Sequence, residues 1–136
     1  HTKEQILAFA DVVNIVAEYI TLTNRLEAKS KKLFLEVRKY LINNYSQNIT
    51  IDWLCDYFYV SRATLINNFK SEYGITVHKF LLDYRLKKSM EMLKNSKKSV
   101  QDIALECGFS DANYFSKVFK KKYNSSPSNI KKLYSK

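Results

Sequence analysis

Apolar residues recur at helical spacing along most of the chain. Over residues 4–27 they fall at three- and four-residue steps with no Gly or Pro between them, which predicts one long amphipathic helix. Its apolar stripe is too wide for a solitary solvated helix. Either it packs on the domain that follows, or it leaves an upstream domain and pairs with a second copy as a homodimer. The apolar positions are Ile6, Phe9, Val12, Val13, Val16, Tyr19, Ile20 and Leu26.

Beyond a polar junction at residues 27–32, the helical pattern resumes in shorter segments separated by N-cap residues. The segments predicted to be helical are 33–45, 51–58, 62–72 and 76–95, then a short helix after Ser99, a helix from Ser110 to about Tyr123, and a last helix that begins after Ser126. The predicted N-caps are Thr50, Ser61, Thr76, Ser99, Ser110 and Ser126, the last of these followed by Pro127. Every assigned element is a helix, so the predicted fold class is all-α.

One unit of this pattern occurs twice, about 50 residues apart. Each copy has a short helix, a tight turn and a second helix, which is the order of a helix-turn-helix. We therefore predict two helix-turn-helix subdomains, at about 50–73 and 99–123, joined by a linker helix at about 76–95. The matches at an offset of 50 pair Leu65, Phe69, Tyr73 and Phe80 with Phe115, Phe119, Tyr123 and Ile130; at an offset of 49, Leu54, Cys55, Val60 and Ser61 match Ile103, Ala104, Phe109 and Ser110.

The turns of the two copies differ in one residue. Small residues, Cys55 and Ala104, let the two helices of each copy approach closely. Gly108 permits the turn that follows in the second copy, whereas Tyr59 takes the equivalent place in the first. The first turn is therefore expected to be strained or to have another geometry.

Net charge separates the two parts of the chain. The whole sequence has 23 Lys and Arg against 13 Asp and Glu, a formal +10. Residues 1–32 contribute five against four, or +1, and residues 33–136 contribute eighteen against nine, or +9. Such an excess favours a polyanionic partner, either nucleic acid or an anionic membrane surface. We assign 1–32 to a signalling or dimerisation helix and 33–136 to the basic domain.

Residue types needed for catalysis or metal binding do not form a pattern. Cys55 and Cys107 stand 52 residues apart without a CxxC spacing and are interpreted as core residues. His1 and His78 have no nucleophile motif nearby, and no phosphate-binding glycine loop occurs. No uninterrupted apolar run reaches the ~18–20 residues of a membrane span. We expect no enzyme activity, no cofactor, no metal and no membrane partner.

The second copy resembles the DNA-binding domain of the AraC/XylS family of bacterial transcription regulators. The matching stretch, from Ile103 to Lys121 and then Pro127, is IALECGFSDANYFSKVFKK, similar to the family pattern I-A-x-x-x-G-F-x-x-x-x-Y-F-x-x-x-F-K-(x)n-P. In the first copy and the connecting helix the resemblance extends to Ser61, Leu65, Phe69-Lys70, Gly74, Phe80-Leu81, Arg85-Leu86 and Met92-Leu93. Departures are Asn124 for Gly, Ile130-Lys131 for an aromatic-Arg pair, and Asn68 for Leu, with Ile66 at an exposed position.

The resemblance implies sequence-specific binding of double-stranded DNA by a cytoplasmic transcription activator. Two recognition helices would enter successive major-groove segments about 34 Å apart. The expected partners are duplex DNA, RNA polymerase and a second copy bound through residues 4–27. A helical bundle that binds RNA, protein or anionic lipid without sequence-specific recognition of DNA is the alternative.

The same resemblance implies which residues contact DNA. With Leu65 and Phe69 inward, a 100° step per residue turns Asn67 outward. Base contacts are expected from Arg62, Ala63, Ile66, Asn67, Ala112, Asn113, Ser116 and Lys117. Phosphate contacts are expected from Ser61, Lys70, Lys79, Ser110, Lys120 and Lys121. Packing against neighbouring helices is the alternative for Ile66 and Ala63, and Tyr114 is expected in the core.

Overall fold

A computed structural model describes residues 2–135 of the chain. His1, the first residue of the predicted domain 1–32, and Lys136, the last residue of the predicted domain 33–136, lie outside the described residues. Over the described range the regular structure is seven α-helices, so the predicted all-α fold class is confirmed. The helices are α1 (Lys3–Asn43), α2 (Ile51–Phe58), α3 (Arg62–Tyr73), α4 (Val77–Asn95), α5 (Val100–Glu106), α6 (Ala112–Tyr123) and α7 (Pro127–Tyr134).

Helix α1 continues through residues 27–32, where the sequence pattern predicted a junction between two helices. That prediction is wrong because a polar segment does not by itself end a helix. Glu27, Ala28 and Lys29 are strong helix formers, and neither Gly nor Pro occurs in the 41 residues of α1.

The chain divides into two compact units, the first ending at Glu36 and the second beginning at Val37. In the first unit, eleven large apolar side chains between Ile6 and Leu26 are exposed. This part of the chain is therefore an apolar helix whose side chains remain accessible.

The hydropathy of α1 corrects the expectation drawn from uninterrupted runs. An 18-residue window in α1 has a mean hydropathy of 1.6 and at most two charged residues, and none of it is buried. By length and composition alone, this helix could cross a membrane. Counting runs missed it because Asp11 and Glu18 interrupt the apolar sequence, whereas a window averages over them.

In the second unit, five helices begin at predicted N-caps. At each of them the side-chain hydroxyl accepts a hydrogen bond from the backbone N–H three residues later, over 3.1 to 3.2 Å. Each hydroxyl satisfies a donor that the first turn of its helix leaves free. The confirmed N-caps are Thr50, Ser61, Thr76, Ser99 and Ser126.

The backbone repeats the two-copy pattern at the ends of α3 and α6. Gly74 and Asn124, 50 positions apart, both adopt the left-handed conformation, with φ of 76° and 58°. Their N–H groups donate to the carbonyls of Lys70 and Lys120, each over 2.8 Å. Asn occupies the second site because it tolerates positive φ better than most residues.

The turns inside the two copies also share a positive φ. Gly108 has φ 93°, and Tyr59, 49 positions earlier, has φ 53°. Tyr59 is 96% exposed, so no packing of its ring offsets the strain of a left-handed backbone. The expected strain in the first turn is therefore confirmed.

Each copy has its own apolar core. In the first, Leu54 from α2 and Leu65 and Phe69 from α3 are fully buried. Beside them, the rings of Tyr40 and Trp53 stack with centroids 4.8 Å apart and join the end of α1 to α2. The core of the second copy is a cluster of Leu86, Leu93, Ile103, Ala104, Cys107, Phe109, Phe115 and Phe119.

The two cysteines differ in burial. Cys107 is fully buried, as predicted, and its sulfur lies 3.7 Å from that of Met92. Burial raises the pKa of the Cys107 thiol to about 11, and the neighbouring Glu106 carboxylate adds to the rise, so the thiol is protonated at neutral pH. Cys55 is only half-buried, which corrects its assignment to the core.

Arg85 of α4 connects three parts of the second unit. Its Nε donates to the Tyr45 carbonyl over 2.6 Å, and its Nη2 donates to the Gln47 carbonyl over 2.8 Å. Burial lowers the pKa of this guanidinium from its usual value. A Cβ on Gly108 would lie only 2.8 Å from Arg85 Nε and 2.9 Å from the Tyr45 carbonyl oxygen. Glycine is thus required at 108 by space as well as by φ.

We predict that Gly108→Ala lowers the free energy of unfolding by about 3 kcal/mol, because it adds a steric clash to the strain of positive φ. Gly74→Ala is the matched control: its Cβ would have no atom within 4 Å, so it should cost only the strain, about 1 kcal/mol. Urea denaturation measures both. Equal losses would contradict the close packing of Arg85 against Gly108.

We predict that Tyr59→Gly raises the free energy of unfolding by about 0.5 to 1 kcal/mol, because it relieves the left-handed strain at little loss of packing. Tyr57→Gly, within α2, should instead lower the free energy of unfolding by about 1 kcal/mol or more, because glycine has a low helix propensity and the ring contacts of Tyr57 are lost. The two melting midpoints should move in opposite directions. A lower midpoint for Tyr59→Gly would show that the ring stabilises the turn.

Candidate nucleic-acid interface

Helix α3 has one buried and one polar face. Leu65 and Phe69 are fully buried, which confirms the predicted rotation of the helix. The Ser61 hydroxyl accepts from Thr64 N–H over 3.2 Å and donates to Thr64 Oγ1 over 2.7 Å. Five of the six contacts predicted in and next to this helix are exposed: Ser61, Arg62, Ala63, Asn67 and Lys70.

Ile66 and Asn68 occupy opposite flanks of the buried face of α3. Ile66 is half-buried, whereas Asn68 is exposed. Ile66 therefore uses part of its side chain in packing, and the remainder is accessible.

Helix α6 repeats this arrangement with more positive charge. Phe115 and Phe119 are fully buried. On the outer side Asn113 and Lys117 are exposed, as are the predicted phosphate contacts Lys120 and Lys121. Ala112 and Ser116 are half-buried, so they border the face rather than project from it.

The N-cap of α6 is Asp111 and not the predicted Ser110. The Asp111 carboxylate accepts from Asn113 N–H over 2.8 Å and from Tyr114 N–H over 3.4 Å. A carboxylate at this position is stabilised by the helix dipole. It thereby occupies two backbone donors in the first turn of α6, and the side chain of Ser110 beside it is exposed.

Arg62, the first residue of α3, forms an ion pair that its sequence pattern does not predict. Its Nη1 lies 2.8 Å from Oδ1 of Asp52 in α2, and both side chains are largely exposed. An exposed pair of this kind contributes about 0–1 kcal/mol. Arg62 can therefore leave Asp52 at small cost when a stronger anion approaches.

Asp83 of α4 links the predicted phosphate contact Lys79 to helix α6. Its Oδ1 lies 3.1 Å from Nζ of Lys79 and 3.4 Å from Nζ of Lys122. The oxygen has no aligned hydrogen bond in the described structure, so the attraction is electrostatic. This cluster connects the linker helix to the basic end of α6, where Lys120, Lys121 and Lys122 are consecutive.

Tyr114 of α6 lies at the surface. Tyr114 is 44% exposed, so its predicted place in the core is wrong; on the helical wheel it lies on the flank of α6.

Within residues 2–135, no group of three or more His, Cys, Asp or Glu side chains could hold a metal ion. The site's chemistry is that of exposed amides, a guanidinium and ammonium groups.

Comparisons with known proteins match this part of the chain. A family profile described as a helix-turn-helix domain matches residues 54–132. A curated relative, the HTH-type transcriptional activator RhaS of Escherichia coli strain K12 / DH10B, is 35% identical over 111 residues, which is 82% of this chain and 40% of the relative. The chain thus spans 40% of the length of the curated relatives it matches.

Two solved structures share this helix arrangement. The C-terminal domain of AraT, a response regulator from Geobacillus stearothermophilus, has a TM-score of 0.71 at 27% identity and covers 74% of this chain and 84% of its own. The DNA-binding domain of AdpA, a global transcriptional factor, was solved in complex with a target DNA and has a TM-score of 0.71 at 25% identity. The match covers 74% of this chain and 91% of the AdpA domain.

We predict that Asp111→Ala lowers the free energy of unfolding by about 1 kcal/mol, because α6 loses its cap. Asp111→Asn keeps the acceptor oxygen and should recover most of the loss. Ser110→Ala is the matched control and should change the stability by less than about 0.5 kcal/mol, as an exposed site outside the cap. Thermal denaturation followed by circular dichroism distinguishes them. A larger loss for Ser110→Ala would restore Ser110 as the cap.

Proposed function

Because the chain belongs to the AraC-type helix-turn-helix family of bacterial transcription regulators, we propose that it binds double-stranded DNA at specific sequences through α3 and α6. The family consists of regulators rather than enzymes, in agreement with the expected lack of catalytic activity. The proposal makes α3 and α6 the recognition helices of the two helix-turn-helix units.

One observation carries this proposal: two equivalent helices have fully buried aromatic or aliphatic residues on one face and exposed hydrogen-bonding side chains on the other. Leu65 and Phe69 in α3 correspond to Phe115 and Phe119 in α6. Residues 33–136, which contain both helices, have a net charge of +9, from eighteen basic and nine acidic residues. Exposed polar helix faces on a basic domain suit the major groove of a polyanion.

The proposed base contacts follow from the chemistry of the exposed faces. Arg62 suits the acceptors of guanine, and Asn67 and Asn113 suit adenine. Lys117 suits guanine as a single donor, while Ile66 and Ala63 can pack on thymine methyl groups. Ala112 and Ser116, which border the α6 face, complete the second set.

The proposed phosphate contacts surround these faces. Lys70, Lys79, Lys120 and Lys121 are exposed and supply sequence-independent affinity. Ser61 and Ser110 lie beside the first turns of α3 and α6, and their hydroxyl groups can donate hydrogen bonds to a phosphate oxygen. The Ser61 hydroxyl would turn from Thr64 Oγ1, to which it donates in the free protein. With α4 between them, the two helices would enter successive major-groove segments about 34 Å apart.

The biological setting is proposed from the relatives. RhaS is named a transcriptional activator, so we propose activation, with RNA polymerase as a partner, in the bacterial cytoplasm. The segment at residues 4–27 is proposed to pair with a second copy as a homodimer, since its apolar side chains are exposed. Residues 1–32 then serve signalling or dimerisation, and residues 33–136 bind DNA.

The decisive experiment is selection of bound sequences from a random duplex library, followed by mobility shifts on the selected duplex. We predict that replacing both Asn113 and Lys117 with Ala lowers affinity for the selected duplex by about 1–3 kcal/mol per lost base contact. Affinity for unrelated duplexes should fall much less, because phosphate contacts remain.

The matched control replaces Lys29 and Asn43, which have the same side-chain types, are exposed on α1 and lie outside residues 4–27. This pair should leave specific affinity unchanged. If no duplex sequence is enriched, or if RNA competes as well as the selected DNA, the chain is a basic helical binding module and the proposal is wrong. Unchanged specific affinity in the Asn113 and Lys117 variant would refute the assignment of those two residues alone.

We predict that Asp52→Asn raises affinity for the selected duplex about two- to fourfold, because Arg62 no longer has to leave a carboxylate. Asp56→Asn, one turn later in α2, removes the same charge without freeing Arg62 and serves as the control. Titrations at several salt concentrations compare the two. Equal gains would mean that the effect is one of net charge.

A further inference from the structure

The first unit has a seven-residue repeat in its charges. Charged side chains recur at every seventh position, five times in succession, at Glu4, Asp11, Glu18, Arg25 and Lys32. A period of seven residues is the repeat of a left-handed coiled coil, in which apolar positions form the contact and charged positions lie on the outside. The charged stripe therefore marks the outer side of such an assembly, and the apolar positions mark its contacts.

The apolar residues form two seams on α1, each with alternating steps of three and four residues. The first seam contains Ile6, Phe9, Val13, Val16 and Ile20, which are 47% to 71% exposed. The second contains Ala8, Val12, Ile15, Tyr19, Leu22 and Leu26, of which the five large side chains are 56% to 70% exposed. The charged stripe lies on the remaining side of the helix.

A single partner helix covers one seam only. The seam of a two-stranded coiled coil is narrow, whereas these two seams together occupy about 200° of the helix circumference at 100° per residue. A pair formed through the first seam would leave Ile15, Tyr19 and Leu22 in water. Helices with two seams occur in bundles, in which each helix packs against two neighbours.

The exposed apolar area is large enough to hold such a bundle together. From Ile6 to Leu26 the helix extends about 30 Å at 1.5 Å per residue. Eleven large apolar side chains, each roughly half exposed, present about 600 Å² on this length. This area reaches the upper end of the range of about 300–600 Å² for the largest apolar patch of a typical soluble monomer, and patches of this size are often interaction sites.

A lipid bilayer fits this helix less well than further copies of the chain. Asp11 and Glu18 lie on one stripe, with Asn14 between them, within the segment that would have to cross the membrane. Carboxylates facing lipid are strongly disfavoured. In a bundle the same stripe faces water and the two seams face neighbouring helices.

We propose that residues 4–27 assemble four copies of the chain, two meeting through the first seam and two such pairs meeting through the second. The inference extends the proposed pairing of this segment and does not depend on DNA binding. Four tethered DNA-binding units would raise the effective concentration at a second site once one unit is bound.

The test uses the full chain and compares the same substitution, to Glu, at the three consecutive positions 14, 15 and 16. Sedimentation equilibrium should give a mass of about 64 kDa, four times 16.0 kDa. Val16→Glu in the first seam and Ile15→Glu in the second should each reduce the assembly to two copies, and the double variant should be a single chain. Asn14→Glu, on the polar side, is the matched control and should remain at four copies.

A wild-type mass of one, two or three chains overturns the proposal, as does an equal effect of Asn14→Glu. Flotation with phosphatidylcholine vesicles, with and without phosphatidylglycerol, tests the bilayer: a chain that floats with lipid and sediments as a monomer without it also overturns the proposal. Helicity by circular dichroism verifies that every variant is folded. Binding to a selected duplex is measured separately, so four copies without DNA binding would refute the proposed function and leave the assembly standing.

Discussion

The guanidinium of Arg85 lies against the backbone of Gly108, and three parts of the second unit meet at this contact. Arg85 donates to the carbonyls of Tyr45 and Gln47, in the loop between α1 and α2, from its place on the linker helix α4. The turn of the second helix-turn-helix fits beside it only because residue 108 lacks a side chain. The loop before the first copy and the turn inside the second are thus positioned by one side chain.

The linker helix makes a second connection through charge. Asp83 lies two residues before Arg85 and attracts both Lys79 and Lys122. One carboxylate therefore holds two ammonium groups that would otherwise repel each other on a surface rich in lysine. Since Lys122 belongs to α6, this cluster restrains the basic end of the second helix relative to α4. Shape at Gly108 and charge at Asp83 act together on the second helix-turn-helix.

Local rules predicted most of the fold, because caps and helix rotation depend on neighbouring residues. A hydroxyl that accepts from the N–H three residues later marks five helix starts, and the buried positions of Leu65 and Phe69 determine which side of α3 is exposed. The choice of Asp111 over Ser110 as a cap depends on backbone angles after Gly108, which two adjacent capping residues do not reveal. The contact between Arg62 and Asp52 depends on how α2 meets α3, ten residues apart in sequence. Tertiary packing decides the contact between Arg62 and Asp52 and the exposure of Cys55. The continuous helix through 27–32 and the cap of α6 are local features, which a polar segment and two adjacent capping residues do not distinguish.

The burial of Cys107 gives the second helix-turn-helix a reporter of its own opening. Its thiol is enclosed by the apolar cluster and protonated at neutral pH, so it is protected both sterically and chemically. A thiol reagent reaches it only when that cluster comes apart, whereas Cys55 is already partly accessible. The ratio of the labelling rates of Cys107 and Cys55 therefore measures how often the second helix-turn-helix opens, and no cysteine has to be introduced into the chain.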